Sequence, residues 1–223
     1  MPKLEIACFN LDSALIAQEN GADRVELCVQ MNLGGTTPPI ELIKQARNKL
    51  DIDLYVMIRP RGGNFVYSKN EFDIMKNDII DIKKLNVEGF VFGILSEDNM
   101  VNKTQNKELV ELANPFPCTF HRAFDDVLHP LITLEEIIEC GFQTILTSGN
   151  ASNVNDGMNQ LEIVVQKANN RIAIMPGGGL RSSNLTEILH KTKASFFHSS
   201  AITDATEIAN PIEIQKLKAI LNA

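Results

Sequence analysis

The chain has 223 residues, 44% of them hydrophobic and 22% charged, with a formal net charge of −7 and no tryptophan. These proportions exclude a disordered, fibrous or collagen-like chain, and the acidic balance argues against generic nucleic-acid binding, which needs a basic surface. They leave room for a small anion held by a few local groups.

No apolar run approaches the roughly 18–20 residues of a membrane helix. The N-terminal segment carries an acid at Glu5 and no long apolar stretch, so no secretory signal and a cytoplasmic location are expected. Cys8, Cys28, Cys118 and Cys140 form no C-x-x-C pair and are expected to be reduced.

Short apolar runs alternate with amphipathic ones along the whole chain. A strand at Leu4–Cys8 leads to a helix opened by Asp12 or Ser13 and closed at Asn20-Gly21. A strand from Arg24 to Cys28 leads, through Gly34-Gly35 and Pro38-Pro39, to a helix from Ile40 to Leu50. A strand at Leu54–Arg59 precedes Pro60-Arg61-Gly62-Gly63, and Ser68-Lys69-Asn70-Glu71 reads as a capping box on a helix reaching Leu85. The second half repeats the pattern: strand Gly89–Ile94 and helix Lys103–Ala113, then strand Cys118–His121 and a helix capped at Thr133 and ending at Gly141. Strand Thr144–Thr147 precedes a helix over Val154–Ala168, and strand Arg171–Met175 is followed by Gly177-Gly178-Gly179 and a helix from Asn184 to Thr192. Strand Ser195–His198 and helix Pro211–Leu221 close the chain.

Eight strand–helix units in 223 residues, with no linker and no compositional break, predict one domain, a single (β/α)8 barrel spanning residues 1–223. A doubly wound open sheet is the alternative, but no G-x-G-x-x-G follows the first strand. The glycine cluster follows strand seven, where many barrels hold phosphate.

Function in such a barrel collects at the C-terminal strand ends. Those ends carry Cys8, Glu26 with Cys28, Arg59-Pro60-Arg61, His121-Arg122 with Asp125, Thr147-Ser148-Gly149, the glycine triplet, and His198-Ser199-Ser200. Side chains alternate along a strand, so Glu26 shares a face with Cys28, Thr119 with His121, and Tyr55 with Met57 and Arg59. An inward Glu5 or Glu26 would want Arg59 or a histidine as partner, since a buried charge is costly unless paired. One reading is an internal ion-pair network that only fixes the barrel. The sharper reading is a ligand pocket. In it Arg59, Arg61, Arg122, Ser199 and the backbone of Gly177, Gly178 and Gly179 hold a phosphate or carboxylate, while Glu26, Arg59, His121 and His198 are the catalytic candidates.

A metal is the competing reading. Cys8 and Cys28 close neighbouring strands about 4.8 Å apart, and two thiolates suit a soft ion such as Cu(I). Parity from Glu5 to Cys8 differs from that of Glu26 to Cys28, so the two thiols share a side only if a strand end bends. Cys118 is out of phase with His121 and reads as core, Cys140 as packing at a helix end, and His129 and His190 as surface.

At these residues the chain resembles the CutC copper homeostasis proteins along nearly its whole length. The matching segments run from Gly21 to Cys28, Gly34 to Pro38, Met57 to Gly63, Val91 to Gly93, Thr119 to Asp125, Ile145 to Gly149, Met175 to Gly179 and Phe197 to Ser200. The resemblance implies a (β/α)8-type barrel, a cytoplasmic protein linked to copper tolerance or trafficking, and a homo-oligomer, dimeric or larger. It also implies Cu(I) bound through cysteines, with Cys8 and Cys28 at the matching positions, and attaches no enzymatic reaction.

Overall fold

The structure, a computed structural model, describes residues 1–223. Its eight strands are β1 (Lys3–Cys8), β2 (Arg24–Leu27), β3 (Asp53–Met57), β4 (Gly89–Phe92), β5 (Cys118–Phe120), β6 (Thr144–Thr147), β7 (Ala173–Pro176) and β8 (Phe196–Ser199). Each leads to a helix: α1 (Leu11–Glu19), α2 (Ile40–Lys49), α3 (Lys69–Ile82), α4 (Lys103–Ala113), α5 (Pro130–Cys140), α6 (Met158–Ala168), α7 (Ser182–Thr192) and α8 (Pro211–Asn222). Successive strands pair in parallel from β1 to β7, and β8 returns to pair with β1. Strands β7 and β8 lie side by side without a backbone ladder. This is the expected (β/α)8 barrel, not an open doubly wound sheet.

Alternation along the strands builds two cores. On β1, Leu4, Ile6 and Cys8 face outward into a continuous apolar layer between barrel and helices. Glu5 and Ala7 take the opposite face, inside the barrel. A smaller apolar cluster of Cys28, Tyr55, Met57 and Val91 fills part of the interior. Short helices of modest propensity gain their stability from burying one face on the outer layer, as α3 does with Phe72, Met75, Ile79 and Ile82.

Several helix starts differ from the sequence expectation. Asn10, not Asp12 or Ser13, caps α1, its Oδ1 accepting the Ser13 amide at 2.8 Å. The Ser68 capping box on α3 forms in full. Helix α5 begins earlier, at Pro130, because proline in the first turn loses no hydrogen bond. Thr133 therefore sits buried within the helix and makes no capping box. Helix α6 starts at Met158, after a turn-rich loop, rather than at Val154. Asn184 lies inside the first turn of α7, its Oδ1 accepting the Arg181 amide at 2.8 Å. A 3-10 turn at Arg122–Asp126, invisible to periodicity, follows β5 and carries part of the site.

Candidate functional site at the barrel mouth

The interior is organised around Glu5. Register places it beside Arg24 on one neighbour and His198 on the other. One carboxylate oxygen accepts from Arg24 Nε. The other lies 2.7 Å from His198 Nδ1. Arg24 is sandwiched between the rings of Tyr55 and Phe196, at 3.9 and 4.1 Å. Burial pushes the Glu5 carboxyl upward, but Arg24 and His198 outweigh it and hold it below the ordinary carboxylate range. Glu5 therefore stays an anion in the heart of the barrel.

His198 links this anchor to the mouth. Burial opposes its charged form, yet the hydrogen bond to Glu5 and the nearby Glu26 raise its pKa above the usual histidine value. Its Nε2 stands 3.8 Å from Glu26 Oε2, beyond hydrogen-bond length. Glu26 has no strong partner of its own: Oε1 is buried and unpaired. Burial pushes its pKa up to about 7, with the Glu5 charge adding to the effect and His198 and Arg24 opposing it. A carboxyl that exchanges its proton near neutrality suits general acid–base work.

Above this pair lies a cavity of about 140 Å³, open to solvent, walled among others by Glu26, Cys28, Arg59, His121, Arg122 and His198. His121 sits at the entry to the 3-10 turn, where the Ala123 amide donates to Nδ1 at 3.3 Å. An Nδ1 that accepts leaves the ring proton on Nε2. Burial, reinforced by the Arg59 charge, pushes the His121 pKa down to about 3, so the ring is neutral. Its Nε2 is buried and unpaired. Arg59 mostly braces the loops: its terminal nitrogens donate to the carbonyls of Leu33, Gly35 and Gly63, while Nε has no partner.

The wall on the side of β6 and β7 is polar. Arg122 donates through Nε to Asp125 and through a terminal nitrogen to Ser148 Oγ at 2.9 Å. Asp125 in turn accepts the amides of Ser148 and Asn150. Gly178, at φ +97°, would place a Cβ 3.0 Å from the Arg122 guanidinium carbon, and Gly177 would place one 3.0 Å from His198 Cβ. The glycines let the β7 loop lie directly against two cavity-lining side chains. The amides of Gly178, Gly179 and Ser200 donate to no acceptor in the chain.

Of the residues singled out from sequence, Glu26, Cys28, Arg59, His121, Arg122 and His198 meet on this cavity, and Gly178 packs on its Arg122 wall. Four do not serve as expected. Arg61 turns away from the mouth, its guanidinium taken by Glu71, Asn64 and the Gly62 and Val66 carbonyls. Ser199 Oγ is spent on the Leu180 carbonyl, the Ala201 amide and Arg181. The Gly177 amide donates to the Thr147 carbonyl, leaving only its neighbours as free donors. Cys8 faces the outer apolar layer, whereas Cys28 faces the interior cluster, so β1 does not bend to bring the thiols together. Cys8 Sγ contacts the Ile6 carbonyl at 3.5 Å, and Cys28 Sγ the Cys8 carbonyl at 3.7 Å. Burial pushes both thiols well above the free-cysteine range, so neither is a thiolate at neutral pH. This arrangement does not fit a paired-thiolate Cu(I) centre, and no group of three or more His, Cys, Asp or Glu side chains is placed to hold a metal ion. The residue the sequence reading missed is Arg24, although its parity with Glu26 puts it on the inward face.

The family model for the CutC family matches residues 2–203. A copper homeostasis protein cutC homolog from Homo sapiens is 41% identical over 198 residues, covering 89% of this chain and 72% of that protein. A CutC family protein from Proteus mirabilis is 41% identical over 210 residues, covering 94% and 83%. The crystal structure described as a CutC copper homeostasis protein from Streptococcus agalactiae superposes with a TM-score of 0.87 at 34% identity, covering 91% of this chain and all of that one. Phosphoribosylanthranilate isomerase from Thermotoga maritima shares the fold alone, with a TM-score of 0.67 at 14% identity. The family match and the relatives at 41% identity agree with the geometry of the barrel, and the chain belongs to the CutC family.

Proposed function

We propose that the protein serves copper homeostasis, the role in its relatives' names, from its barrel mouth, as an enzyme or sensor for a small anionic metabolite. The observation that carries this reading is Glu26, a buried carboxyl with an unpaired oxygen, on the wall of an open cavity. An unpaired buried polar atom costs roughly 1–3 kcal/mol, a penalty that a ligand can relieve. The free amide of Gly178, packed against Arg122, supplies a seat for the anionic group. This reading does not use Cys8 and Cys28 as joint copper ligands.

The same reading places the protein in the cytoplasm as a homo-oligomer. Its four cysteines are all free thiols, as a reducing compartment keeps them. No helix is long and apolar enough to cross a membrane. Leu128, Leu131 and Ile132 expose apolar surface around the start of α5, which a second copy of the chain would cover.

The test is thermal unfolding with inorganic phosphate, pyruvate and small phosphorylated hydroxy acids, on wild type and Gly178→Val. The reading expects at least one compound to raise the wild-type midpoint, by an increment the variant loses; a ligand at 100 times its Kd adds about 2.7 kcal/mol. No shift with any of them overturns it.

A further inference from the structure

We propose that the barrel mouth catalyses proton transfer at the carbon beside a carbonyl group, with Glu26 exchanging the carbon-bound proton and His121 Nε2–H hydrogen-bonding the carbonyl oxygen. The proposal rests on the reading of the mouth as a small-molecule site and names the substrate class, a small anionic carbonyl compound.

Three buried polar atoms of cavity-lining residues have no partner: Glu26 Oε1, His121 Nε2 and Arg59 Nε. Their chemistry is complementary. Glu26 is a proton carrier, whereas His121 and Arg59 each leave one N–H donor. A carbonyl oxygen has two lone pairs and satisfies two donors, and its adjacent carbon carries the proton a carboxylate can take. A carboxylate oxygen accepts from the same two donors, but only a carbonyl compound also offers Glu26 a carbon-bound proton to take.

Competing reaction types lack their parts. Acyl or phosphoryl transfer through a covalent intermediate needs an activated nucleophile. The Cys28 thiol is held neutral by burial, and the Ser148 and Ser199 hydroxyls are tied to Asp125, Ala151 and Leu180. Glycoside hydrolysis needs two working carboxyls. Glu5, the other interior one, is fully buried and held by Arg24 and His198.

The step balances without an oxidant or co-reactant. The C–H bond breaks and its proton passes to Glu26 Oε1. The electron pair forms a carbon–carbon double bond as the carbonyl π pair moves to oxygen. The developing oxyanion is held by the N–H groups of His121 and Arg59. Return of the proton to the same carbon exchanges or epimerises it; in a hydroxycarbonyl compound, return to the former carbonyl carbon isomerises it, the hydroxyl proton passing to the former carbonyl oxygen as the new carbonyl forms. A neutral imidazole is the form suited to this donor role, as in aldose–ketose isomerisation. Burial and Arg59 keep His121 neutral, while Glu26 ionises within the working range.

The experiment incubates the intact protein in D2O with pyruvate or dihydroxyacetone phosphate. Proton NMR follows loss of the α-proton signals, and amide shifts of the labelled protein report binding. The proposal expects protein-dependent exchange with at least one compound. Exchange should fall at least about 100-fold in Glu26→Gln and in His121→Asn, as for loss of a general base or a preorganised donor. Both variants should keep wild-type amide spectra outside the mouth. Nitrogen shifts of His121 should show Nε2 protonated and Nδ1 bare at neutral pH. Binding without exchange, exchange unaffected by either variant, or a proton on Nδ1 overturns the proton-transfer proposal while leaving the small-molecule site standing. Absence of any binding removes both.

Discussion

The Cys28 amide donates to the Cys8 carbonyl at 3.0 Å, yet the two thiols point to opposite layers of the barrel. Backbone contact and side-chain separation have one cause. Parallel neighbours bond through their main chains, while each side chain follows the parity of its own strand. On β1 that parity gives the interior to Glu5 and Ala7.

The first prediction follows from this separation. Cys8→Ala should leave Cu(I) affinity unchanged when measured against a competing chelator under reducing conditions. A marked loss in Cys8→Ala alone would show that the thiols meet after all. Native protein should also react slowly with a disulfide reagent at neutral pH, with all four thiols appearing only on unfolding, because burial keeps them neutral and shielded.

The Glu5–Arg24 pair gives the second. Arg24→Met strands the Glu5 carboxylate in the interior and should cost roughly 3–5 kcal/mol in denaturant unfolding. Adding Glu5→Gln removes the stranded charge and should recover part of that loss. Equal loss in the single and double variants would mean that packing, not charge, is what Arg24 supplies.

Linkage gives the third. Glu26 titrates at about 7 when folded, against 4.5 for the free group. Between these values the native protein binds the extra proton, so stability falls as pH rises through the interval, by roughly 3 kcal/mol in all. His121 titrates at about 3 when folded against 6.5 free, so its contribution is lost as pH falls from 6.5 toward 3, by roughly 4–5 kcal/mol. The two slopes oppose each other between pH 4.5 and 6.5. Urea unfolding of Glu26→Gln should therefore show steeper acid weakening than wild type over that interval and greater relative stability above pH 7. His121→Asn should lose the acid limb. Parallel pH profiles for wild type and both variants would contradict these assignments.

The fourth concerns the β7 loop. Gly178→Val must adopt a positive φ and crowd Arg122. It should lower stability by about 1–3 kcal/mol and weaken anion binding more than Gly179→Ala, which takes a positive φ as well but whose added Cβ meets only Asn153, at 3.2 Å. Equal anion affinity in Gly178→Val and wild type would move the anion seat elsewhere.

The eight-unit architecture is legible in the sequence because apolar strands, glycine-marked helix ends and amphipathic helices recur at a steady spacing. The inward face of β2 is legible too, since parity joins Glu26 to Cys28. What parity does not show is which charges meet across strands. Arg24, not Arg59, faces Glu5, because β1–β2 register sets that pair and register is a tertiary property. Arg61 and Ser199 sit at mouth-proximal sequence positions, but their loops consume their donors locally. His121 as a neutral donor depends on the 3-10 turn that delivers the Ala123 amide, and that turn carries no periodic signal.

The most direct test of the account is the titration of Glu26 in the intact protein, followed by the carbon NMR shift of its carboxyl and assigned with Glu26→Gln. The account predicts a midpoint near 7, set by burial beside Glu5, that moves when a ligand fills the mouth. A midpoint in the ordinary carboxylate range, near 4.5, would mean that Glu26 is a permanently charged structural group and would contradict an acid–base site at the barrel mouth.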